Sequence, residues 1–151
     1  MKIFTSLTIP ILASLVLASC SLFPSQKNMN TQTIIIPENA KVATFAGGCF
    51  WCLEPSFDAE PGVVQTVVGY AGGHAENPTY EQVLGKKTGH RESIQVTYDP
   101  EKVSYERLVE VFFHQIDPTD AGGQFADRGE SYTTAIWYQD ESEKKIAEDY
   151  I

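Results

Sequence analysis

Cysteine is scarce in this chain, three residues in 151, which excludes a small scaffold stapled by several disulfides. Histidine is equally sparse: His74, His90 and His114 form no HxxxH pair, and with so few thiols no spacing suits a zinc site. Basic residues are outnumbered, 11 against 20 acidic, for a net charge of −9. Nucleic acid and anionic membrane surfaces both call for a basic patch, so neither is an expected partner, and the acidity reads as a solvated surface. No internal repeat is visible, and no apolar run reaches the ~20 residues of a membrane span. What is present is one globular domain long enough to bury a core without covalent staples.

The N-terminus is of another kind. Lys2 precedes an apolar run from Ile3 to Ala18, broken only by Thr, Ser and Pro10, which reads as a secretory signal over residues 1–19. Its end, "LASC", Leu17 to Cys20, resembles the lipobox of bacterial lipoproteins, in which the cysteine becomes the lipidated first residue. An ordinary signal peptide that carries a cysteine is the plainer alternative. The stretch "SLFPSQKNMNTQT" is polar and aperiodic, so residues 20–40 are expected to be an anchor and flexible tether ahead of a domain at 41–151.

With Cys20 assigned to the anchor, Cys49 and Cys52 remain, in "AGGCFWCLEP". A structural disulfide over two intervening residues removes little chain entropy, so redox or nucleophilic chemistry is the better reading. "KVATFA" is a short strand, Gly47-Gly48 allow a tight turn, and "CFWCLEPSFDA" starts a helix with Pro55 tolerated near its first turn or as a break. That places Cys49 at a helix N-terminus, where free N–H groups and the helix dipole favour a thiolate.

Further strands are expected at 63–70, 90–98 and 133–138, a short helix around 79–85, a helix capped by Ser104 running to about Gln115, and a last helix opened by Asp140 with Glu143. This order suits an α+β two-layer sandwich with a ferredoxin-like core, its mixed, mainly antiparallel sheet covered by helices. On the strand "HRESIQVTY", Arg91, Ser93, Gln95 and Thr97 share the wet face, and Glu92 lies with Ile94 and Val96 on the apolar one. A carboxyl aimed at the core resists ionisation and can stay protonated near neutral pH, ready to donate a proton; a frayed strand end would instead leave it in water.

The blocks "GGCFWC", "GYAGG", "NPTYEQV", "TGHRESIQVTYDP" and "DRGESYTTAIWY", in that order, resemble the A-type peptide methionine sulfoxide reductases from about Val42 to Ile151. The resemblance implies that Cys49 attacks the sulfoxide sulfur, Phe50 and Trp51 wall a pocket for the S-methyl group, and Glu92 protonates the leaving oxygen. It also implies that Tyr80 and Tyr132 hydrogen-bond that oxygen and Asp127 orients the substrate. Such chemistry needs a thiolate, a neutral acid and an apolar grip, with no metal or bound cofactor. Cys49 then becomes a sulfenic acid, which a second thiol must condense.

Many family members have Gly at position 52 and recycle through C-terminal cysteines. This chain carries Cys52, which points to a Cys49–Cys52 disulfide reduced by a thioredoxin-like donor. Oxidised proteins are the implied substrates, the implied state is a monomer, and the lipid would tie the enzyme to the cell envelope. The sequence stops at Ile151 within an amphipathic pattern where family members continue, so it reads as C-terminally truncated. Two alternatives stay open: a thioredoxin-type thiol–disulfide oxidoreductase, since strand-CxxC-helix is also its arrangement, and an inactive surface lipoprotein.

Overall fold

The computed structural model describes residues 34–151. The signal and anchor readings, Cys20 among them, lie outside the described residues. Residues 34–40 hold one turn and no helix or strand, with Ile34, Ile35 and Ile36 exposed. The first regular element among the described residues is β1 (Lys41–Ala46), followed by α1 (Phe50–Asp58), β2 (Val63–Ala71), α2 (Tyr80–Leu84), β3 (Arg91–Tyr98) and α3 (Tyr105–Phe113). A two-stranded hairpin of β4 (Gly123–Gln124) and β5 (Asp127–Arg128), a 3-10 turn (Glu130–Tyr132), β6 (Ala135–Trp137) and α4 (Glu141–Asp149) complete the fold.

The main sheet has the order β2-β3-β1-β6. With β1, α1, β2, β3, α3 and β6 in sequence, this is the ferredoxin-like arrangement. The sheet, expected to be mixed and mainly antiparallel, is antiparallel in all three of its ladders. Each crossover helix carries the chain past one strand, so the strand it delivers pairs antiparallel with the strand it skipped.

Alternation on β1 and β3 explains which face is covered. Ala43 and Phe45 point inward from β1, and Ile94, Val96 and Tyr98 from β3, into one cluster with Leu53 and Phe57 of α1 and Leu108, Val109 and Phe112 of α3. Phe45 is its centre, stacked on Phe57 and Phe112 at centroid distances of 5.2 and 5.1 Å. Each such ring contributes about 1.5–3 kcal/mol by leaving water. Glu92 occupies the next inward position of β3 and is 2% exposed.

Local signals place the helices. Ser104 Oγ accepts from Arg107 N–H at 3.1 Å and starts α3, as expected. Thr79 and Gln82 form a reciprocal capping box on the five-residue α2. In α4, Asp140 Oδ1 accepts from Glu143 N–H at 2.9 Å, and the Glu143 carboxylate turns back to the N–H of Gln139 at 2.8 Å.

Several expectations need correction. Helix α1 runs through Pro55 without a break: Pro55 is its sixth residue, the bond it forgoes would have gone to the carbonyl of exposed Trp51, and the helix ends three residues later. Helix α3 stops at Phe113 rather than Gln115, because the last turn tightens and Gln115 N–H reaches Phe112 O at 2.9 Å. Ser93 is buried rather than wet, its hydroxyl donating to Arg91 O at 2.9 Å. Strand β6 is limited to Ala135–Trp137, since Thr133 Oγ1 bonds Glu130 O and Arg91 Nε and so belongs to the preceding turn.

Candidate active site

The turn between β1 and α1 is held in one shape from two sides. Gly48 has φ of +88°, where only glycine is unstrained, and a Cβ there would stand 2.9 Å from Gln124 Cβ. Its N–H donates to Tyr132 O at 3.1 Å, which fastens the turn to the 3-10 segment. Cys49 follows as the N-cap of α1, but its side chain accepts no capping hydrogen bond. The first free N–H of the helix, that of Phe50, instead donates to Glu92 Oε2 at 3.1 Å, across 42 residues of sequence. A thiol and a buried carboxyl are thereby brought to one helix N-terminus.

Both groups are shifted by that setting. Burial raises the Glu92 carboxyl above the ordinary glutamate value, and the charge of Asp127 adds to the rise; the Phe50 N–H and a hydrogen bond with Cys49 pull the other way. Burial also pushes the Cys49 thiol up, with further upward pushes from Cys52 and Glu92, while the N–H groups of Trp51 and Cys52 pull it down. The expected pull of the helix N-terminus toward a thiolate is there, but the net shift is upward. The N–H donors are present, but desolvation and negative neighbours outweigh them in the resting site.

The aromatic residues differ in depth. Phe50 is buried, Trp51 is 64% exposed, and their rings meet at 5.4 Å with a 58° tilt. Tyr132 is half-buried in the 3-10 turn, its phenol shifted up by burial and then by Glu92, Tyr80, Asp127 and Cys49. Tyr80, at the first position of α2, is 43% exposed and stands at the rim. Asp127 arrives on β5, paired in register with Gln124 of β4. Gln124 is 1% exposed, and its side chain bonds Asp117 N and O and Thr134 Oγ1, so a buried amide carries the hairpin that delivers Asp127.

Cys52 is the third residue of α1 and is exposed, one turn from Cys49, with its N–H on Cys49 O at 2.9 Å. Both thiols are free. The fold thus gathers Cys49, Phe50, Trp51, Cys52, Tyr80, Glu92, Asp127 and Tyr132 at one end of the sheet. Among the described residues no group of three His, Cys, Asp or Glu side chains is arranged to hold a metal ion.

A further residue beside this gathering was not singled out from sequence. Tyr70 of β2 is the register partner of Glu92, and its ring lies 6.0 Å from that of Phe50. The available signal was its position at a strand end in "GYAGG", two residues on from Val68 and on the same face.

A family model described as peptide methionine sulfoxide reductase matches residues 41–151. The chain belongs to that family. The peptide methionine sulfoxide reductase MsrA of Bacillus velezensis is 60% identical over 111 residues, covering 74% of this chain and 63% of that protein. The chain thus spans about 63% of the length of this curated relative. Among solved structures, methionine sulfoxide reductase A of Corynebacterium diphtheriae superposes with a TM-score of 0.70 at 34% identity, over 76% of this chain and 57% of that one. Mxr1 from Saccharomyces cerevisiae in reduced form gives 0.69 at 29% identity, over 79% and 73%. The same yeast protein in complex with Trx2 gives 0.52 at 23% identity, over 79% and 72%, a likeness of fold.

Proposed function

We propose that this chain reduces the S epimer of methionine sulfoxide, free or in proteins, to methionine. The observation that carries the reading is the bond from Phe50 N–H to Glu92 Oε2, which fixes a carboxyl whose titration burial raises beside the thiol of Cys49. The Cys49 thiolate attacks the sulfur, and Glu92 gives its proton to the oxygen. The S–O bond then breaks as the protonated oxygen passes to the Cys49 sulfur and the transient bond between the two sulfurs is released, so that methionine leaves and Cys49 holds a sulfenic acid. Phe50 and Trp51 grip the S-methyl group, Tyr80 and Tyr132 hydrogen-bond the oxygen, and Asp127 orients the substrate.

Cys52 then attacks the sulfenic sulfur, water departs, and a Cys49–Cys52 disulfide remains. Its exposed position suits attack by an external dithiol, and the complex of Mxr1 with Trx2 favours a thioredoxin-like donor. No bound cofactor enters the cycle. We further propose that Cys20 is lipidated and anchors the enzyme to the cell envelope, on the strength of "LASC" behind the apolar run. Membrane partitioning that Cys20→Ala abolishes supports the anchor, and partitioning left unchanged excludes it.

The catalytic reading is tested with the two resolved epimers of a methionine sulfoxide peptide and the fully reduced protein. Loss of the S epimer alone, near one equivalent without added reductant, is expected. Reduction of insulin disulfides with both epimers untouched would instead make the protein a thioredoxin-type oxidoreductase.

A further inference from the structure

We propose that Tyr70 is a positioning residue whose ring keeps water from the Glu92 carboxyl and braces the Phe50 wall. The placement follows from sheet register. Directly opposed residues on neighbouring antiparallel strands project to the same face with Cβ atoms about 4.5–5.5 Å apart, and Tyr70 is opposed to Glu92. The neighbouring pair, Val68 with Ile94, continues that face toward the core. The Tyr70 ring is 6.0 Å from that of Phe50, tilted by 39°, and the backbone N–H of Phe50 holds the carboxyl itself. Glu92, 2% exposed, is thus opposed by Tyr70 on the neighbouring strand and bonded by the backbone of Phe50, whose ring meets that of Tyr70.

Tyr70 is half-buried. Burial raises its own titration, followed by the charges of Glu92, Tyr80 and Glu81. The groups that face Glu92 are Cys49 and the Phe50 N–H at the start of α1, Asp127 on β5, Tyr132 in the 3-10 turn and Tyr70 on β2. Asp127 repels the carboxylate, whereas the Phe50 N–H and Cys49 favour it. Burial is the largest contribution, and Tyr70 is the side chain on the sheet side that supplies it. The ring does this and the hydroxyl does not, a distinction that experiment can draw.

The inference rests on the reductase reading only for its kinetic consequence. Its direct test needs no substrate: titration of the Glu92 side-chain carboxyl by carbon-13 NMR in the reduced full chain, for the wild type, Tyr70→Phe and Tyr70→Ser. The Phe variant should titrate within about 0.3 pH units of wild type, and the Ser variant roughly one unit lower, because water reaches the carboxyl. Single-turnover reduction at neutral pH should follow, slower in Tyr70→Ser than in Tyr70→Phe by roughly tenfold or less. An unmoved midpoint in Tyr70→Ser overturns the proposal, as does an equal fall in Tyr70→Phe, which would assign the effect to the hydroxyl. If Tyr70→Ser fails to fold, Tyr70→Leu replaces it: a lowered midpoint supports shielding by the ring, and an unmoved one overturns it. Should the wild type reduce no sulfoxide while the titrations behave as described, the functional reading fails and this assignment stands.

Discussion

Helices α1 and α3 are both nine residues long, and their N-termini are put to opposite uses. At α3 the cap is local: Ser104 Oγ serves the N–H of Arg107, three residues on. At α1 the N-cap is Cys49, which caps nothing, and the first free N–H is given to Glu92 from a distant strand. A helix start with a capping serine is more stable by about 1 kcal/mol than one without. The α1 terminus forgoes that local gain and leaves its N–H groups to a carboxyl and a sulfur. What is a matter of stability at one helix is a matter of chemistry at the other.

The sharpest way to break this contrast is to make the two termini alike. Cys49→Ser should reduce sulfoxide reduction to background, since a hydroxyl is a far weaker nucleophile at neutral pH. The same variant gains a capping residue and should be more stable by roughly 0.5–1 kcal/mol in urea unfolding. Retained activity would remove Cys49 from the reaction, and a loss of stability would show that the thiol packs better than a cap can compensate.

Glu92→Gln comes next. It keeps the shape at the Phe50 N–H but supplies no carboxylic proton, and a loss of about 10²–10⁴-fold in the single-turnover rate is expected. Unchanged kinetics would count against Glu92 as the acid.

The pH profile sharpens the contrast further. In the proposed reaction the reactive form has Cys49 ionised and Glu92 protonated, the reverse of the order in which a thiol and a carboxyl ordinarily ionise. Between the two values that form is a constant minority; below the Glu92 value it declines as Cys49 takes up its proton, and above the Cys49 value as Glu92 loses its own. The wild type should therefore show a plateau whose acid limb lies above the ordinary glutamate value of ~4.3, because burial raises Glu92. In Glu92→Gln the residual rate should climb without a plateau until Cys49 is fully ionised. Identical profiles in the two proteins would separate the carboxyl from the reaction.

The smallest effect belongs to the other helix. Ser104→Ala should cost about 1 kcal/mol of stability and leave the single-turnover rate unchanged. A loss of rate would mean that α3 and the site are mechanically linked.

Much of this was legible in the sequence where the signal is local or periodic. Alternation on "HRESIQVTY" put Glu92 inward because Ile94 and Val96 fix the phase, and Ser104 marked a helix start by its side-chain chemistry. The hairpin that brings Asp127 was not legible, since strands of two residues have no period and are held instead by the long-range bonds of buried Gln124. Tyr70 was missed for a related reason: its importance lies in register with Glu92, and register emerges only when β2 and β3 pair. The net rise of the Cys49 thiol was not legible because a helix terminus is a local feature, whereas burial and the nearness of Glu92 come from the whole fold.

The central claim is that Cys49 reacts and Cys52 resolves, and mass analysis of the reduced protein after one equivalent of methionine S-sulfoxide, without added reductant, tests it most directly. The predicted result is the loss of two hydrogens and a crosslink confined to Cys49 and Cys52, with Cys52→Ser still reducing one equivalent and accumulating a Cys49 sulfenic acid. An unchanged mass, or a crosslink to Cys20 in place of Cys52, would contradict it.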